Sequence, residues 1–62
     1  MADLLTDDPF PREVLADCAR REVAKRKHVY PRLVAENKMT QARADREIEM
    51  MQAIADHFER TA

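Results

Sequence analysis

The chain has 62 residues, 45% hydrophobic and 37% charged, with a net charge of −1 at pH 7. That balance is too apolar for a disordered chain and too polar for a membrane span, and the longest uninterrupted apolar runs are far short of the roughly 20 residues that a transmembrane helix needs. Glycine, serine and tryptophan are all missing, which argues against phosphate-cradling loops and β-hairpins and leaves helix as the expected structure.

A domain this small buries only about 60% of the surface its unfolded chain exposes. Its core rarely supplies more than about 3–5 kcal/mol without a disulfide, a metal or a partner chain. The one cysteine, Cys18, cannot close an internal disulfide. It fits a reducing compartment and is expected to be a small buried apolar group. Self-association is therefore the first staple to consider. The opening "MADLLTDDPF" has neither a basic n-region nor an apolar h-region, so no signal peptide is read and the cytoplasm is the expected location.

The first segment, residues 1–11, is an acidic arm. Residues 1–17 hold five acids against one arginine, a net −4. Asp7 or Asp8 is placed to cap the helix that follows, with Pro9 and Pro11 in its first turn, where a missing N–H costs nothing. Leu4, Leu5 and Phe10 are apolar residues on this arm. They either fold back on the helices as a staple-like contact or form a short docking peptide for a protein partner.

Helix one is expected over about 12–36. Val14, Leu15, Cys18, Ala19 and Val23 recur at three- and four-residue spacing, one helical stripe. The stripe is interrupted at Arg26 or Lys27 and resumes in the same phase at Tyr30, Leu33 and Val34. Pro31 removes a helical N–H and disfavours helical geometry at Tyr30. Either one helix continues through a kink, or a helix breaks near His28 and restarts. The preserved phase favours one kinked helix.

The turn is expected at 37–40. Asn37 can adopt the left-handed conformation that glycine usually supplies, Lys38 suits the negative end of the helix dipole, and Thr40 is a good N-cap. The capping box is incomplete, because Arg43 stands where Glu or Gln would complete it. Helix two is expected over about 41–60, with Ala44, Ile48, Met51, Ile54, Ala55 and Phe58 in one stripe. Met50, Ala53 and His57 widen that stripe sideways. So short a connection makes the helices antiparallel neighbours. The predicted fold is all-α: an antiparallel helical hairpin that dimerises into a four-helix bundle. Opposite Tyr30 falls Glu47, expected to meet the tyrosine hydroxyl or a base one turn away.

Chemistry is hard to build from these residues. Cys18 and His28 are ten residues apart on one helix, too far to form a nucleophile–base pair locally. Neither H-x-x-x-H nor E-x-x-H occurs, so no helical metal site is read, and no cofactor or catalytic residue is expected. The strongest cue is the basic run "RREVAKRKHVYPR": residues 20–32 hold six bases against Glu22, a net +5. Arg20, Arg21, Lys25, Lys27 and Arg32 could neutralise phosphates in a salt-sensitive way. The alternative is a solvated face that balances the acidic segments on either side of it.

The block from Val29 to Phe58, "VYPRLVAENKMTQARADREIEMMQAIADHF", resembles a family of small phage and prophage proteins. In them an Arg-rich helix leads into Y-P-x-x-V, a Lys-Met-Thr turn and a helix with regularly spaced Ala, Ile and Met. Tyr30, Pro31, Val34, Lys38, Met39, Thr40, Ala44, Ile48 and Met51 carry the match. The resemblance covers about half the chain and implies phage origin and an accessory role; no catalytic residues carry over from it. Residues 1–11 lie outside it. The inferred architecture is also similar, in shape alone, to the plasmid copy-number regulator that binds paired RNA loops as a dimer of helical hairpins.

Two functional expectations follow. The first is a non-enzymatic interaction protein that dimerises and binds a host or phage protein, inhibiting a host factor, with Leu4, Leu5, Phe10, Met50 and His57 as contact residues. The second is a nucleic-acid-binding regulator using the basic face of helix one. Tyr30, Pro31, Thr40, Ala44, Ile48, Met51 and Phe58 are assigned structural roles. Neither a membrane nor a small-molecule substrate is expected as a partner.

Overall fold

The computed structural model describes residues 9–61. Two helices make up the fold, α1 (Arg12–Ala35) and α2 (Gln41–Arg60), packed against each other as an antiparallel hairpin.

Pro11 is the N-cap of α1, with extended backbone (φ −61°, ψ 154°). Its carbonyl accepts from the backbone N–H groups of Val14 and Leu15 at 3.1 and 3.2 Å. The prolines therefore precede the helix rather than occupy its first turn. The cap makes no side-chain hydrogen bond, and the capping role read for Asp7 or Asp8 lies outside the described residues. Pro31 sits inside α1, which runs through it without a break. One helix, as the apolar phase favoured, is what forms. Pro31 is exposed, so the carbonyl that its missing N–H would have served lies toward water on that side of the helix.

The exit from α1 is a Schellman motif. Asn37 takes φ 61°, the left-handed value. The Lys38 N–H donates to the Leu33 carbonyl at 2.8 Å, and the Asn37 N–H donates to the Val34 carbonyl at 3.0 Å. These two bonds satisfy carbonyls that a helix end otherwise leaves open. Thr40 then caps α2 from extended backbone, its hydroxyl accepting from the Arg43 N–H at 3.1 Å. At the far end of α2 the Thr61 hydroxyl donates to the His57 carbonyl at 3.0 Å.

The seam between the helices is made of small side chains. Among the described residues, Ala16, Ala19 and Val23 from α1 and Ala44 and Ala55 from α2 are the buried apolar ones. Small residues let two helices approach at the close end of the usual 8–10 Å range. Larger apolar groups flank the seam half-buried: Leu15, Val29, Leu33 and Val34 on α1, Ile48, Met51 and Phe58 on α2.

Three stripe residues do not lie where the pattern put them. Val14 and Ile54 are 47% and 45% exposed, and Cys18 is exposed rather than buried. The reason is angular. At about 3.6 residues per turn, a stripe of i, i+3 and i+4 positions covers a broad face, and one neighbouring helix covers only the middle of it. On α1 that middle passes through Ala16 and Ala19, which turns Val14 and Cys18 outward. Ala16, left out of the expected stripe, is among the most buried residues.

Candidate functional site

The hairpin has two edges, and cross-helix ion pairs identify them. On one edge the Arg20 guanidinium pairs with Glu59. On the other, Arg26 is held by three acceptors. Its Nε donates to Glu22 Oε1 at 3.1 Å, and its Nη1 donates to the Glu47 backbone carbonyl at 2.9 Å and lies 3.8 Å from Glu47 Oε1. The guanidinium also lies 6.0 Å from the centroid of the Tyr30 ring, a cation–π distance. The base one turn from Tyr30 is thus the partner Glu47 takes. Arg26 is only 23% exposed at the side chain and Glu47 31%, so this is a partly shielded cluster.

Spacing shows which residues share the Arg26–Glu47 side. On α2, Met50 and Ile54 stand three and seven residues after Glu47, and Phe58 eleven after it. On α1, Leu15 and Glu22 stand eleven and four before Arg26, and Val29 and Leu33 three and seven after it. All of these steps return a helix close to the same direction. The antiparallel hairpin therefore presents one broad face with apolar residues at both ends and the Glu22–Arg26–Glu47 cluster near its middle. Met50 and Ile54 on this face are 43% and 45% exposed. The two residues stand one turn apart and so adjoin on this face, and contiguous exposed apolar patches mark interaction sites.

The residues assigned to a protein partner separate. Met50 belongs to the open face. His57, seven residues after Met50, returns to the same side of α2 and is exposed, its ring 5.5 Å from that of Phe58 in an edge-on contact. Phe10 is 58% exposed just before α1. Leu4 and Leu5 lie outside the described residues. Ile54 and Leu15, which complete the face, belong to the apolar stripes expected to pack between the helices. The signal that could have found them was the excess width of both stripes.

The structural assignments fall as follows. Thr40 is the cap and Ala44 is buried in the seam. Tyr30, Ile48, Met51 and Phe58 are half-buried beside it, with the Arg12 guanidinium 5.6 Å from the Phe58 ring centroid. Arg12 Nη1 also donates to the Thr61 hydroxyl at 3.1 Å, tying the start of α1 to the end of α2.

The basic residues divide into two groups. Arg20 is engaged by Glu59 and lies 3.7 Å from Asp17, and Arg21 pairs with Asp17 at 2.5 Å. Lys25, Lys27 and Arg32 are exposed and enter no ion pair among the described residues. The five-residue phosphate-binding set is thereby partly neutralised by the fold itself.

Cys18 and His28 are both exposed on α1, about 15 Å apart along its axis at the usual rise per residue. Among the described residues no three His, Cys, Asp or Glu side chains gather as a metal site would require. A depression of about 450 Å³ lies at the turn, lined by residues that include Met39, Thr40 and Arg43. Its wall brings no histidine, cysteine or carboxylate. No described helix is long and apolar enough to cross a membrane. No protein-family model matches the chain, and neither a curated protein nor a solved structure does.

Proposed function

We propose that the chain is a non-enzymatic interaction protein that acts by packing its open face against a protein partner. The supporting observation is that Met50 and Ile54 are left nearly half exposed on the same side as the half-buried Leu15, Val29, Leu33 and Phe58. A two-helix layer offers no enclosed interior from which water is excluded, which is what most catalysis requires. Together with the resemblance of Val29 to Phe58 to small phage and prophage proteins, this supports an accessory role in the host cytoplasm. Binding and inhibition of a host factor is the mode of action proposed.

The test is site-specific photo-crosslinking in bacterial cells. A photoreactive residue at Ile54 should yield a discrete protein adduct, and one at Glu49, on the outward side of α2, should not. Equal labelling from both positions, or none from Ile54, would overturn the reading.

A second reading, a nucleic-acid-binding regulator, is favoured by the unpaired bases Lys25, Lys27 and Arg32. It requires a mobility shift with DNA or RNA that weakens steeply with salt and is lost on reversing Lys25 and Arg32 to Glu. Arg20 and Arg21, already paired with carboxylates, would contribute less.

A further inference from the structure

We propose that the open face is covered by a second copy of this chain, and that the Glu22–Arg26–Glu47 clusters of the two copies meet near the two-fold axis. This deepens the proposed function, on which it rests: the protein packed on the open face is the chain's own copy, and a host factor would meet the assembled dimer on its remaining surface.

Three observations favour a second copy. First, the hairpin is a single layer, 15 Å in its thinnest dimension. Helical domains are stable as two packed layers around a core, and two copies of a hairpin supply the second layer. Second, among the described residues the buried core comprises four alanines and one valine, with no large side chain fully buried. A core this small is the kind that a stapling partner stabilises most, and the chain's own copy is always present. Third, the area fits. Two helices side by side, about 20 Å across and 30 Å long, offer about 600 Å² before side-chain relief is counted, in the range of the roughly 800 Å² per partner of a stable interface.

The charge on the face makes a specific demand. In a closed two-fold dimer the same patch meets itself. Glu22 and Arg26 are within a turn of the midpoint of α1, and Glu47 within about a turn of the midpoint of α2. Each cluster holds two carboxylates and one guanidinium, so two clusters that meet bring four carboxylates and two guanidinium groups to the axis, with the exposed Arg43 a turn away from Glu47 toward the hairpin turn. Removing one carboxylate should therefore tighten a dimer. Against a foreign cationic helix the same change would weaken binding.

The experiment is sedimentation equilibrium on the full chain and four variants. Wild type should be dimeric at micromolar concentration. Ile54→Glu and Met50→Glu should raise the dissociation constant at least 100-fold, and Glu49→Lys should leave it within about twofold. Because the first two substitutions could also unfold a hairpin that depends on its mate, Glu22→Gln gives an independent reading. Glu22 is on the surface, bonded within its own helix, and its replacement should lower the dissociation constant several-fold. A well-folded wild-type monomer, a dimer indifferent to Ile54→Glu, or a weaker dimer in Glu22→Gln would each overturn the inference. A folded monomer that still crosslinks to another protein from Ile54 would leave the interaction reading standing with a foreign occupant. Loss of both would remove that reading too.

Discussion

The seam of the hairpin and its open face use apolar residues in opposite ways. The seam buries Ala16, Ala19, Val23, Ala44 and Ala55, while Met50 and Ile54 on the open face stay 43% and 45% exposed. An ordinary domain hides its largest aliphatic groups first, because burying each contributes about 1.5–3 kcal/mol. Here the two helices gain close approach from small residues, and the bulkier groups remain on a side that nothing in the hairpin covers. The difference separates what joins the two helices from what the pair leaves exposed.

Overfilling the seam breaks this comparison most severely. Ala55 is fully buried, so Ala55→Leu forces the helices apart. Inserting methylenes into a packed site costs typically about 1–3 kcal/mol. In a domain of this size that lowers the melting temperature by roughly 4–8 °C for each kcal/mol. Ala53→Leu, on an exposed position of the same helix, should move it by no more than a few degrees. Equal losses at both positions would show that the seam is not closely packed.

The turn is the next point of attack. Asn37→Ala places a side chain with no left-handed preference at φ 61°, at a cost of about 1–2 kcal/mol in urea unfolding. Thr40→Ala removes the hydroxyl that accepts from the Arg43 N–H, at about 1 kcal/mol. Asn37→Gly keeps the geometry and should be nearly neutral. Should Asn37→Ala also be neutral, the turn does not set the hairpin.

The smallest effect belongs to the far edge. The Arg20 and Glu59 side chains are 47% and 57% exposed, and an exposed pair is worth at most about 1 kcal/mol. Arg20→Ala should change stability by less than that. Arg26→Ala should cost more, since it strips Glu47 and Glu22 of their shared partner in a shielded position. This ordering sharpens the distinction between the solvated edge and the edge bordering the open face.

Much of the fold was legible from single residues whose chemistry is local. Asn37 and Thr40 announced the turn because a left-handed position and an N-cap each have few acceptable residue types. Pro31 was the ambiguous signal, and the phase of Tyr30, Leu33 and Val34 across it resolved toward one helix. What sequence spacing could not supply was the rotation of each helix about its axis. Val14, Cys18 and Ile54 belong to apolar stripes, yet a stripe does not say which part of its width meets the neighbour. That depends on Ala16, Ala19 and Ala55 being small enough for close approach, a property of the pair of helices and not of either one. The Arg26–Glu47 contact was half legible for the same reason: antiparallel register brought Glu47 level with that end of α1, and the fold selected Arg26 over the Tyr30 hydroxyl.

The central claim is that this chain is half of a structure whose other half covers the face around Met50 and Ile54. The most direct test is the thermal midpoint of the wild-type chain over a hundredfold range of protein concentration. A hairpin completed by its own copy must melt at a higher temperature as concentration rises, by mass action. A cooperative midpoint that does not move over that range would mean the 62-residue hairpin is stable by itself, and would contradict the account.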